Sequence, residues 1–546
     1  MSLTLRRQPR GAAAGPGRHR PALTATLRRH WLIAILLTAG LVLRILAQVA
    51  YRPALFYIDS TRYLYHADGN DPAGYRLPLK VITAVANLNA VAALQHLLGL
   101  AMAVLIYLVL LRRGCARWLA ALAAAPLLLD AYQLQIEQTV MPDTWFEVLI
   151  ITGLALLTWR RDAPVGLVAA GAFLLGGSAT LRQVGEILIL PALAGALLAT
   201  RGWRRRAGYG AVAAAAFAAP IIGYMALAQA VTGHFWLSHS GVTTTYGRMA
   251  SAADCASLTL PASERPLCPT PAQQASGPDE LEHSPHSPLR PYYRNLPSSE
   301  ASRLVASFNQ HVLHQQPGRV LVSIGRDAVK LFALTRDGAP GDTPIARWQF
   351  QTAYPVYPPH ASRAVITAAG ARLGGGGPTV TRPLAIFLRG YQLHGGFTPG
   401  PLYALAVLAA LSGSLYALPS LLAPAVAPSS RRRRSSVQAA PRPSESQAGS
   451  AGDYRGPAAA DRRDAAAACL VFFTAAVAVL VMSDLFEFSW RYQLPALVTL
   501  IPAGALGLAA VWPRSHVAHL QEALDVGQPL HDHRDDERQQ RQLDQP

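Results

Sequence analysis

The stretch YRPALFYIDSTRYLYHADGNDPAGYRLPLK (residues 51–80) lies between two long apolar runs, 31–50 and 91–111. It holds three aspartates, Asp59, Asp68 and Asp71, among six tyrosines and phenylalanines. Acids and rings packed between two oily segments read as a loop at a membrane surface. Aromatic side chains favour that boundary, with one end apolar and the other wet. The fold follows from what flanks the stretch.

The apolar runs continue along the 546-residue chain, at 118–135, 146–159, twice within 164–200, and at 208–231, 401–426, 465–482 and 494–512. Each approaches or reaches the roughly 20 residues needed to cross a bilayer. The chain is 51% hydrophobic and only 15% charged, against roughly 25% charged in soluble proteins. The expected fold is an all-α integral membrane protein with about ten transmembrane helices, amphipathic juxtamembrane helices and one long extracytoplasmic loop.

The net charge of +18 raises nucleic acid as a partner, but its placement points to the membrane. Basic clusters fall at 6–29, 112–117, 160–161, 201–206, 431–434 and 462–463. Every second loop is therefore basic, as the positive-inside rule requires. This puts both termini in the cytoplasm of a multi-pass plasma-membrane protein. It leaves 51–90, 137–143, the Arg182 region, 233–399 and 484–493 outside. The N-terminal run, with its basic lead and AQVA at 47–50, resembles a signal peptide. Its length favours an uncleaved span, with Arg44 near the outer end snorkelling outward.

The expected divisions are a basic cytoplasmic N-terminus (1–30), a transmembrane module (31–232), an outer loop region (233–399), a helix (400–426), a disordered Pro/Ser/Ala/Arg linker (427–464), two C-terminal spans (465–512) and a cytoplasmic tail (513–546). No internal repeat is evident. The outer region carries apolar residues at helical spacing, at Leu304, Val305, Phe308, Val312 and Leu313 and again over 320–334. These read as amphipathic helices on or near the membrane. Cys255 and Cys268 share this oxidising compartment and are expected to pair.

Chemistry-bearing residues collect on the outer side. Asp59 suits either an N-cap or a general base for a hydroxyl substrate, walled by Tyr57, Tyr63 and Tyr65. Asp130 lies within a span, where an ionisable group is costly and a functional candidate. Glu137 and Asp143 follow at its outer end. With Asp59 they offer oxygen donors compatible with Mg²⁺ or Mn²⁺, though no tight metal-ligand motif is present. Arg182, with Glu186 at i+4, and Arg491, between Trp490 and Tyr492, read as a helix-face salt bridge and an interfacial anchor, or as phosphate ligands.

The segments YIDSTRYL (57–64), GYRLPLK (74–80), QLQIEQTVMPDTWF (133–146), ATLRQVGEIL (179–188) and WRYQLP (490–495) together resemble the GT-C superfamily of polytopic glycosyltransferases. The likeness is to an actinobacterial branch related to protein mannosyltransferases and aminoarabinose transferases. It covers 31–206 and 484–495. The resemblance implies a polyprenyl-phosphate sugar donor, a cell-envelope acceptor and an acid in the first outer loop as base, here Asp59. Glu137, Asp143, Arg182, Arg491, Tyr63 and Arg44 would then line the substrate. Many members carry two adjacent acids where this chain has Asp59-Ser60. A transporter or flippase for a lipid-linked intermediate is the competing reading, followed by a structural envelope protein. Missing repeats and polar residues gathered at one surface weigh against transport.

Overall fold

The computed structural model describes residues 28–65, 72–238, 240–422 and 457–512. Expectations for the basic terminus, the linker, the tail, and Asp68 and Asp71 fall wholly or largely outside these residues. Over their described residues, all ten apolar blocks are largely helical. Among the described residues, six helices are long and apolar enough to span: Trp31–Ala50, Leu88–Arg112, Trp203–Thr232, Gly400–Leu418, Arg462–Phe486 and the segment Trp490–Val511. The pair Arg117–Leu129 and Ala131–Gln138 is bent by 51° and makes a seventh if taken as one span. The other three blocks form the shorter helices Asp143–Thr158, Val165–Ala179 and Gln183–Leu198, the last opening as a 3-10 turn.

Local chemistry explains the boundaries. Asn87 opens Leu88–Arg112 by accepting from the backbone N–H of Asn89 and Ala90, as a capping residue does. Asp130 stands at the bend in extended conformation and caps Ala131–Gln138 through Tyr132 N–H. Between spans, small residues allow close approach where the hydrophobic effect gives no preference for protein over lipid. A Cβ at Gly507 would collide with the Ala409 carbonyl, so glycine there sets how closely Gly400–Leu422 meets Leu500–Val511.

The basic ends of the helices gather together. Arg117 donates to the Arg29 carbonyl, Arg112 to the Trp159 carbonyl, and Arg161 pairs with Asp464. The opposite end carries the loops 51–65, 130–143 and 484–493. Reporter fusions after Trp159, Arg206 and Ser430 are expected to report cytoplasm, and fusions within 263–300 the outside. A cytoplasmic signal from 263–300 would invert this orientation.

The long loop region divides in two. Its first half has its own core of Tyr246, Met249, Leu267, Leu281, Val305, Phe308 and Val312. The helix Ser298–Gln315 thus turns Val305, Phe308 and Val312 into the loop's own core and leaves Leu313 exposed. Pro317–Ala328 leaves Leu321 and Val322 exposed. The second half joins the bundle's core through Trp348, Phe350, Tyr354 and Leu388. It is tied there by a two-stranded antiparallel pairing of Tyr51–Arg52 with Thr379–Val380.

Cys255 and Cys268 form a disulfide with Cα atoms 6.0 Å apart. Non-reducing peptide mapping is expected to find them linked, and reduction to cost the first half of the loop about 3 kcal/mol. Two free thiols in the mature protein would refute the link.

Candidate functional site

The first outer loop runs extended from the end of Trp31–Ala50 and is anchored by main-chain pairing of Leu55 with Gln138 and Val140. Ser60 fixes the next turn by accepting from Tyr57 N–H and donating to the Val140 carbonyl. Asp59 sits immediately before the helix Ser60–Tyr65, and its carbonyl accepts from the N–H groups of Arg62 and Tyr63. Its carboxylate lies 3.5 Å from Arg62 and 4.0 Å from Arg491, with its side chain 22% exposed. It is therefore both anchored and open.

Three other segments meet it. Asp143 begins the helix Asp143–Thr158 directly after Pro142. Arg182 precedes a 3-10 turn with φ −145°, in extended backbone. Arg491 lies in the 3-10 turn Trp490–Gln493. Arg491 donates from Nε and Nη2 to the two oxygens of Asp143, at 2.9 and 2.8 Å, and Arg182 donates to Oδ1 of the same carboxylate. Arg182 thus pairs across the bundle with Asp143, and among the described residues it forms no pair with Glu186. Such bidentate charge-assisted bonds are the strong ones.

Aromatic rings close the site. Arg491 lies over Trp348 at 5.1 Å and over Tyr492 at 5.4 Å, and Arg182 over Tyr492 at 4.6 Å. Tyr57 packs against Trp348 at 4.6 Å and Tyr357 at 5.2 Å. Arg347 spans from the Tyr57 hydroxyl to Asp279, at 3.3 Å each. Beyond it stand Glu282, His283 and Glu487. Burial, then the Asp279 and Glu282 charges, pushes Glu487 up to about 7. Burial also pushes the Tyr57 phenol up, against the pull of Arg347.

The other expected residues go elsewhere. Tyr63 is buried edge-on against Tyr75 at 5.4 Å. Arg44 does not snorkel outward. It turns into the bundle and pairs with Glu137 at 2.8 Å, the two side chains 1% and 0% exposed. Glu137 also meets His96 Nδ1 at 2.9 Å, so it faces the bundle interior and not the outer surface. A carboxylate near the charge supplies what a route to water would otherwise provide. Asp130 pairs with Arg336, which lies over Tyr132 at 4.6 Å and Trp490 at 5.1 Å.

Sequence reasoning passed over Arg336, Arg347, Trp348, Asp279 and His96. A signal existed for Arg347-Trp348: a cation beside a tryptophan in an outer loop. Both oxygens of Asp143 are engaged by arginines, and among the described residues no three His, Cys, Asp or Glu side chains stand together as ligands.

No family model and no curated protein matches the chain. Among solved structures, it is similar to the S. cerevisiae protein O-mannosyltransferase Pmt1-Pmt2 complex bound to the sugar donor. The similarity has a TM-score of 0.31 and 14% identity, covering 42% of this chain and 38% of that one. The matched part is thus well under half of that protein's length, and the likeness fixes neither activity nor substrate.

Proposed function

We propose that this chain is a membrane glycosyltransferase. It would move a sugar from a polyprenyl-phosphate donor to a cell-envelope acceptor on the outer face of the plasma membrane. One observation carries the reading: an open carboxylate, Asp59, stands 4.0 Å from a guanidinium, Arg491, that with Arg182 forms a two-arginine cluster at one end of the bundle. Asp59 takes the proton of an acceptor hydroxyl. The oxygen attacks the anomeric carbon from the face opposite the phosphate, and the bond from that carbon to the phosphate oxygen breaks. Arg491 and Arg182 neutralise the charge that the departing polyprenyl phosphate gains. No step runs through a divalent cation. Tyr57 and Trp348 are buried against each other, with Arg491 over Trp348, and so brace the site.

A translocase is the second reading. The bent span at Asp130 and the polar network around Glu137 are features that transporters use. Against it, that network is sealed from solvent.

The full chain in nanodiscs, given a panel of polyprenyl-phosphate sugars and envelope acceptors, is expected to release polyprenyl phosphate as sugar is transferred. Movement of the intact donor across proteoliposomes, with no release, would overturn the transferase.

A further inference from the structure

The two guanidiniums that would receive a phosphate are already holding an anion. Asp143 presents two oxygens to Arg491 in the fork geometry that a phosphoryl group also offers, and one of them to Arg182. Asp59 lies 4.0 Å away, against Arg491 Nη1. Asp59 is nearer still to Arg62, at 3.5 Å, so the nearly sealed core of the site is Asp143 with the two guanidiniums. An arriving phosphate adds at least one further negative charge in a site where Asp143 and Arg491 are nearly sealed from water. Asp143 already takes Nε and Nη2 of Arg491 and shares Arg182, so a phosphoryl group using the same fork would put an excess of negative charge at contact distance, where solvent cannot screen it.

Exchange avoids that excess. The arginines do not depend on Asp143 alone for position. Arg491 is stacked on Trp348 and Tyr492, and Arg182 on Tyr492. Those rings would hold both cations while the carboxylate withdraws. We infer that Asp143 is an internal stand-in for phosphate: it occupies the seat between Arg182 and Arg491 in the free protein and is displaced when a phosphoryl group binds. The inference rests on the proposed function for a lipid-borne phosphate, but the anion seat itself does not. Asp143 is thus a positioning residue that keeps two like charges together until the ligand arrives.

The exchange makes an unusual demand: removing a carboxylate from the site must tighten binding. Binding of farnesyl phosphate and of inorganic phosphate is measured on the full chain in nanodiscs, for the wild type, Asp143→Asn and Arg491→Gln. Asp143→Asn is expected to bind farnesyl phosphate about tenfold tighter or more, since the ligand no longer competes with a bidentate partner. Arg491→Gln is expected to bind it at least about tenfold more weakly. A gain shared by inorganic phosphate assigns the seat to the phosphoryl group itself. A gain confined to farnesyl phosphate assigns it to a lipid-borne phosphate. Equal or weaker binding by a normally melting Asp143→Asn protein overturns the inference.

A structure of the wild type with farnesyl phosphate decides the case if Asp143→Asn does not fold. Phosphate between Arg182 and Arg491 with Asp143 turned away is expected. Phosphate bound elsewhere, with Asp143 still on both arginines, overturns it. Tighter phosphate binding in a protein that transfers no sugar would sustain the exchange and sink the transferase. Intact transfer with weaker phosphate binding in Asp143→Asn would do the converse.

Discussion

Asp59→Asn is expected to lower sugar transfer from a polyprenyl-phosphate donor by roughly two to four orders of magnitude, the usual worth of a positioned general base. The substitution is close to isosteric. Asparagine caps a helix about as well as aspartate, so a residue serving only to start Ser60–Tyr65 would tolerate it. The backbone contacts remain too, because Arg62 and Tyr63 donate to the Asp59 main-chain carbonyl. The change removes only the group that can accept a proton, together with its charge 4.0 Å from Arg491. Losing that charge leaves Arg491 its bidentate bond to Asp143, so detergent melting should stay near the wild-type value. Transfer is measured in membranes with a donor panel, alongside expression and melting. Full activity in Asp59→Asn would sink the mechanism, whereas equal loss of activity and folding would assign Asp59 to structure.

How far the sequence showed this depended on which force placed each residue. The apolar blocks were legible because a bilayer makes the same demand of every residue in a span, so length and composition carry the information. Asp59, Asp143, Arg182 and Arg491 stood out as charges in an oily chain. Their mutual pairing was not visible, since Arg491 meets Asp143 across 348 positions. Asp130 looked like an intramembrane acid. It is the cap of a bent helix and the partner of Arg336, and no periodicity in the loop announces Arg336. Trp348 and Arg347 escaped for the same reason. They sit in the short 3-10 turn Ile345–Trp348, which has neither a helical nor a strand pattern. Periodicity located the helix Ser298–Gln315 but not its partner, because an apolar stripe fits a loop core and a lipid surface equally well.

Arg44 shows the same limit most sharply and carries the second large effect. Arg44→Ala is expected to lower stability by about 3–5 kcal/mol, the cost of breaking a buried ion pair by removing one partner. A snorkelling arginine would cost little, because its charge would already be in water. Here the guanidinium donates to the carbonyls of Gly40, Leu127 and Leu128 and to Glu137 Oε1, all inside the bundle. The space is closed on the far side as well, since a Cβ at Gly99 would collide with Glu137 Oε1 and crowd Arg44 Nη2. Without Arg44, Glu137 keeps His96 and Gln133 as partners but faces no permanent positive charge. The Leu127 and Leu128 carbonyls at the helix break also lose their donor. The double variant Arg44→Met with Glu137→Gln removes both charges, fills much of the volume and leaves an amide to meet His96. It should recover most of the loss, as apolar or neutral replacements of buried pairs do. Melting in detergent, read as a double-mutant cycle, tests this. A single Arg44→Ala variant within about 1 kcal/mol of the wild type would mean that the charge reaches water after all. A double variant that melts normally but transfers no sugar would return Arg44 to the substrate.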